Sequence, residues 1–581
     1  MNPANSRFYR PVAPWSGRLI LPFYAERRPD GGVFILLENA PKAYRHLLGQ
    51  YLWVRWHPQS RHRTWIDRAT IDLRFDEVTW QTMEKIGTFH PTRLDGWKQV
   101  SPLESLAGSR ADDDVRVQLD VVEVLQDGPL WVVEIDDEPI QLSGVKKALI
   151  QFIAPAGEKR YRVAHYNPKT EGFDASSEVM SFPKAGTVYA VDPVEQSSIK
   201  NIEKSPLNDG GWYVYGDFDE SGTFAVEAIE PVEALQLGPT RMVTGRDETL
   251  DYFLDTKWEP MPVGQVRQTL VDNNGAIVPE TERTPEYMKR RTRELWYKGD
   301  TALVVHTFGW RGGKRGRNLP FGFVTGHFSF GFATVVTDEF TGKLRFDLVY
   351  RQIYAHNRNA IVSGAQYWHQ YMGNLERGWM YTIAVSDVVV RLPELTVPYE
   401  LGDRTFDPLG AIVQQLALMA ARYRTGPGNG ASVVTPATSC VKDSHQALFA
   451  AIAQLREEVF ADPTVKQWLE ANPKDFHVGR FRRLEALLDD VERSMLIPLG
   501  YVPKGWRGDN EDVAIHRNGN FLDLGAMKEA LLAWKTMLPR RGEMELMRVL
   551  NRHGATSIDC QCAKVGGEVP DIEPQAPTVI L

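Results

Sequence analysis

The stretch Thr325-Gly326-His327-Phe328-Ser329-Phe330-Gly331-Phe332-Ala333 leads through a turn at Asp338-Glu339-Phe340-Thr341-Gly342-Lys343 into Leu344-Arg345-Phe346-Asp347-Leu348-Val349-Tyr350-Arg351-Gln352-Ile353-Tyr354-Ala355-His356. Aromatic and β-branched residues run through both arms, and Asp and Gly punctuate the link, so the segment reads as an antiparallel hairpin. Symmetric pairing about the turn sets His327 opposite Tyr354, with Gln352 diagonal to it and His356 and Asn357 just past the strand end. Cross-strand neighbours on one face lie within about 4.5 to 8 Å, near enough for a polar side chain to orient an imidazole. His356, then Gln352, then Asn357 are the candidates, and Gly326 before the histidine leaves room for close approach of a substrate or backbone.

Outward from the hairpin, the run Ala302-Leu303-Val304-Val305-His306-Thr307-Phe308 reads as a buried strand, preceded by a charged helix over 285–296. From Gly17 to about residue 245 the text is mostly short alternating apolar and polar runs, such as Val115-Arg116-Val117-Gln118-Leu119, separated by turn signals such as Asp127-Gly128. Period-two patterning of this kind predicts strands in small barrels or sandwiches. Beyond about residue 405 the period changes: Ile412, Leu416, Met419 and Tyr423, then Leu448, Ile452 and Leu455, keep helical spacing. The expected fold is therefore α+β. Clusters of Asp, Ser, Pro and Gly suggest β-rich modules over 1–105 and 106–190 and a β module with helical linker over 191–295. A mixed domain over 296–460, a helical region over 461–566 and a Pro-rich tail over 567–581 complete the division.

The run Thr438-Ser439-Cys440-Val441-Lys442-Asp443 places a thiol where an extended segment gives way to a helix. Unpaired N–H groups and the positive end of the helix dipole favour a thiolate there, which is how a cysteine nucleophile is made. The chain has 3 cysteines in 581 residues, so no disulfide framework or four-cysteine zinc site claims Cys440. As plainer accounts, Cys440 is a small buried hydrophobe, Ser439 or Thr438 caps the helix, and Asp443 answers the dipole. A nucleophile needs a base and an orienting group. His327 is the candidate base, with His356 or Gln352 orienting it, and backbone N–H groups at Cys440 and Val441 are the candidate oxyanion hole. His445, five residues along the helix, is expected to face elsewhere. In a cysteine-first order the base would instead be His477, His516 or His553, of which His516 is preferred.

The order of these motifs, Gly326-His327 on a strand, a polar partner on the next, then Ser439-Cys440-Val441-Lys442-Asp443 at a helix start, resembles the circularly permuted papain-like fold. That group includes lecithin:retinol acyltransferase-like proteins and related bacterial amide hydrolases. The resemblance covers roughly residues 300 to 460, with 361–404 as an insertion or extra subdomain. It implies a cysteine-dependent peptidase, amidase or acyl transferase. The competing expectation is a non-catalytic interaction or scaffold protein in which the β modules bind a partner and Cys440 is structural.

Other signals carry less. The basic loop Gly309-Trp310-Arg311-Gly312-Gly313-Lys314-Arg315-Gly316-Arg317 lacks the ending of a nucleotide P-loop. The pair Cys560 and Cys562 lacks a matching His/Cys cluster, so neither metal nor cofactor is expected. A net charge of −8 gives no global attraction to nucleic acid, and no apolar run reaches the roughly 18 to 20 residues of a membrane span. The start lacks a signal peptide's apolar stretch, so a soluble, cytoplasmic protein is expected. With 16 Trp, 20 Tyr and 25 Phe, the β-rich modules are suited to a peptide or protein substrate.

Overall fold

Strand His327–Thr337 pairs antiparallel with Leu344–Gln352, Phe330 facing Arg351 and Thr337 facing Leu344, which is the register symmetric about the turn. The computed structural model describes residues 6–73, 96–109, 115–182, 201–259, 265–273, 278–308, 327–353, 363–375, 385–426, 428, 439–496, 528, 531, 532 and 534–562. Within them the hairpin is the middle of a 15-stranded sheet. Around it, neighbouring strands run antiparallel in the order Val266–Asp272, Thr556–Cys562, Val385–Arg391, Thr301–Phe308, His327–Thr337, Leu344–Gln352, Gly364–Tyr367. The N-terminal strands, among them Ser16–Ile20, Val33–Asn39 and Tyr51–Trp56, continue the same sheet beyond Gly364–Tyr367. A second, 6-stranded sheet closes on itself where Lys146–Pro155 pairs with Trp212–Phe218. With the helices Pro408–Thr425, Cys440–Ala461 and Pro539–Arg552 packed on the large sheet, the fold is α+β.

Alternation along the histidine strand divides its side chains between two cores. Phe328 and Phe330, each 0% exposed, pack with Val441, Leu448 and Ile452 of the cysteine helix. Burial of each such ring contributes about 1.5–3 kcal/mol, so the helix carrying Cys440 is anchored to the strand carrying His327. His327, Ser329 and Gly331 point to the opposite face. There a Cβ on Gly331 would meet the Val349 carbonyl oxygen at 2.7 Å, so only glycine lets the Tyr350 strand pack this close.

The region expected to be helical to residue 566 ends instead in the strand Thr556–Cys562, between Val266–Asp272 and Val385–Arg391. All its residues are buried, so both faces need partners for their polar groups. Asp559 accepts from the Tyr252 hydroxyl at 2.7 Å and the Ser386 hydroxyl at 2.8 Å. Lys257, fully buried, pairs with Glu543 and stands 3.7 Å from Asp559, while Thr307 donates to Glu543 at 2.7 Å. No helix among the described residues is long and apolar enough to cross a membrane.

Where the closed sheet meets the large one, Glu230 is buried beside Tyr215, whose hydroxyl donates to it, and Arg345. Burial pushes its carboxyl from 4.5 up to about 7, against the pull of Arg345. A raised carboxyl favours folding while protonated, so its contribution is complete below about 4.5 and is lost as pH rises through about 7. Glu230→Gln keeps an acceptor for Tyr215 without the charge. Its melting temperature is expected to gain on wild type across that window, and a constant difference would contradict this.

Candidate functional site

Cys440 is the first residue of its helix, and the Ser439 hydroxyl caps that helix by accepting from the Lys442 N–H at 3.3 Å. The expected helix start is thus present. The sulfur is faced by the backbone N–H groups of Phe328, Val441 and Cys440 itself, all of which favour a thiolate. Phe328 directly follows His327, so the strand that carries the imidazole delivers a backbone donor to the thiol.

His327 Nε2 lies 2.6 Å from Gln352 Oε1. An amide oxygen only accepts, so His327 carries its proton on Nε2 and its lone pair on Nδ1. Gln352 in turn donates to the Ser329 hydroxyl at 3.3 Å, which fixes the amide. The diagonal partner therefore orients the ring. His356, the first choice from sequence, and Asn357 and Tyr354 lie outside the described residues, as does His516. Of the other downstream histidines, His477 Nδ1 accepts from the Glu400 N–H at 3.1 Å and His553 sits 3.3 Å from Asp490. His445 faces neither solvent nor an empty side of the helix. Its ring stacks on Phe328 at 4.7 Å and its Nδ1 donates to the Val441 carbonyl at 2.6 Å, because the helix packs on that face of the strand.

A thiolate is not the resting form. Burial pushes the Cys440 thiol up to about 12, outweighing the backbone donors, with Asp443 adding to the rise. Burial likewise lowers His327 to about 3, with His306 adding to the fall. At neutral pH Cys440 is a thiol and His327 a neutral imidazole. The expectation from helix-start placement is reversed because the thiol residue is only 6% exposed, and desolvation of a charge outweighs the dipole of a single helix terminus.

Behind His327 stands a polar layer not expected from the sequence. His306 Nδ1 lies 2.8 Å from Asp387 Oδ1, and the Tyr350 hydroxyl donates to both Asp387 oxygens at 3.0 Å. Tyr371, at the end of the short helix Trp368–Tyr371, packs its ring 6.0 Å from His327 and 5.3 Å from His306. A signal existed: His306 pairs with Ser329, two residues from His327, and Asp387 is a lone acid inside the apolar run Val385-Ser386-Asp387-Val388-Val389. Tyr371 falls in the segment treated as an insertion.

Cys560 and Cys562 are buried in strand Thr556–Cys562, the first donating its thiol to the Ala234 carbonyl at 3.2 Å. Burial pushes Cys562 up to about 12 and Cys560 well above its ordinary value. Among the described residues, His57, Glu123 and Glu134 are grouped closely enough to hold a cation. The Gln59 N–H donates to His57 Nδ1 at 3.2 Å, which leaves the ring proton on Nε2, and Arg55 takes Glu134 Oε1 at 2.9 and 2.6 Å. That is an ion-pair cluster. The basic loop 309–317 and most of the Gly-rich stretch 426–430 lie outside the described residues.

No protein-family model, curated protein or solved structure matches the chain.

Proposed function

We propose that the chain is a cysteine-dependent hydrolase, a peptidase or amidase, or an acyl transferase of the permuted papain-like order, with Cys440 as nucleophile and His327 as base. The observation that carries this is the 2.6 Å contact between His327 Nε2 and Gln352 Oε1, which orients the imidazole on the strand whose next amide faces the Cys440 sulfur. In the reaction, Sγ attacks a carbonyl carbon as its proton passes to Nδ1, and the carbonyl pair moves onto oxygen. Collapse expels the leaving group, which takes the proton from Nδ1, and water or an acceptor then cleaves the thioester. The N–H groups of Cys440 and Val441 stabilise the oxyanion. A peptide or protein substrate held by the β-rich modules, in the cytoplasm, fits this reading.

The burial of Cys440 and its raised thiol favour a second reading, a structural cysteine in an interaction protein. Iodoacetamide separates the two. All three thiols are buried and raised, so burial alone predicts that they label alike and slowly. The catalytic reading expects Cys440 to label ahead of Cys560 and Cys562 at neutral pH, and to lose that lead in His327→Ala. Equal labelling that ignores His327 would favour the structural cysteine.

A further inference from the structure

Strand Val121–Asp127 is the last strand of the 15-stranded sheet, paired with Leu130–Ile135 on one side and, among the described residues, with no strand on the other. None of its residues is buried, although Val121, Val122, Val124 and Leu125 are apolar, and Val122 is 53% exposed. A bare edge of this kind invites another strand, and proteins usually blunt it with lysine or proline. This strand carries neither. Asp127 and Leu130 flank the two-residue turn Gly128-Pro129, so alternate residues counted back from Asp127 bond inward to the partner strand. Val124 and Gln126 therefore turn their backbone N–H and C=O groups outward, and no other described backbone group bonds them there.

The edge is also acidic. Across residues 117–145 acids recur and no lysine or arginine occurs. Val124 packs toward the core, which leaves Glu123, Leu125 and Asp127 on the outer face. Arg28 meets Asp127 at 2.5 Å, but Glu123 stands directly opposite Glu134 in the register, and Arg55 is taken up by Glu134 and Asp30. Carboxylates facing each other across two strands repel. No lysine or arginine among the described residues pairs with Glu123, so the outer row lacks a cation at the position that most favours one.

We propose that this edge docks an extended, basic segment of another protein as an added strand, with main-chain bonds to Val124 and Gln126, a lysine or arginine beside Glu123 and an apolar side chain beside Leu125. A second copy of this chain fits less well, because its edge brings the same acids to the contact. The site needs no chemistry at Cys440 and stands apart from the reaction proposed above.

The test titrates the full chain against a fluorescein-labelled octapeptide in which threonine alternates with lysine and valine, read by fluorescence anisotropy. Saturable binding is expected, weakened by up to about fivefold in Glu123→Gln, the size of one cross-strand charge pair. The same peptide N-methylated at every interior amide keeps its charge but cannot bond the edge, and its binding is expected to be lost. Val124→Pro removes one outward N–H while sparing the inward ladder, so it should lose binding with its melting temperature kept. No saturable binding at millimolar peptide would overturn the proposal. So would equal binding of the N-methylated peptide, which would reduce the contact to charge attraction, or an unchanged Kd in Val124→Pro. Self-association of the free chain that Val124→Pro abolishes would give the edge to a second copy instead.

Discussion

Replacing His327 with alanine is expected to slow acylation of Cys440 by p-nitrophenyl acetate by about 10²- to 10⁴-fold, the range for loss of a general base. The resting thiol makes the base indispensable. With burial pushing the thiol up to about 12, it is protonated at pH 7, so attack needs an imidazole to take the proton as it proceeds. The same state fixes the pH dependence. His327 is held at about 3 by burial, so it stays an unprotonated base down to that pH. The acid limb of the acylation rate is therefore expected far below the ordinary imidazole value of 6.5. A limb near 6.5 would mean that the reacting histidine is solvated and is not His327 in this setting. His516→Ala is expected to leave the rate unchanged; a loss there with none in His327→Ala would restore the cysteine-first order.

The second large effect concerns stability. Lys257→Met is expected to cost about 3–5 kcal/mol, as when one partner of a buried ion pair is removed and the other is left charged. Lys257 and Asp559 are fully buried and Glu543 nearly so, and the ammonium is the cation that faces both carboxylates. Burial already raises the Glu543 carboxyl, with Lys257 as the largest opposing influence. Without the lysine, that carboxyl must take up a proton or meet water. The three residues come from segments around 257, 543 and 559, so the loss should uncouple the terminal strand Thr556–Cys562 from the sheet. Chemical denaturation reads this as an earlier midpoint. Glu543→Gln in the Lys257→Met background should recover part of the loss, and no recovery would show that packing, not charge, sets the cost.

The sequence carried the part of this account that is local. Register in the hairpin follows from a turn and a period of two, and so Gln352 could be placed beside His327 from text alone. The helix start at Cys440 follows from Ser439 and Asp443 in the same way. What could not be read is set by contacts distant along the chain. The protonation of the thiol depends on how completely strand and helix exclude water around it, and no local pattern states that. His306, Asp387 and Tyr371 join His327 only through strand pairing and a short helix far along the chain. Strand Thr556–Cys562 reads as polar and small, and it becomes a buried strand because Tyr252, Ser386 and Lys257 arrive from elsewhere to satisfy Asp559.

The proposed reaction requires Cys440 to form a covalent bond to an acyl carbon with His327 as its base. Mass mapping of the protein quenched within its first turnover with p-nitrophenyl acetate tests it most directly. One acetyl group is expected on the peptide containing Cys440, removed by hydroxylamine, absent in Cys440→Ala and strongly reduced in His327→Ala. Acetylation confined to lysines, or a Cys440 adduct that forms as fast without His327, would contradict it.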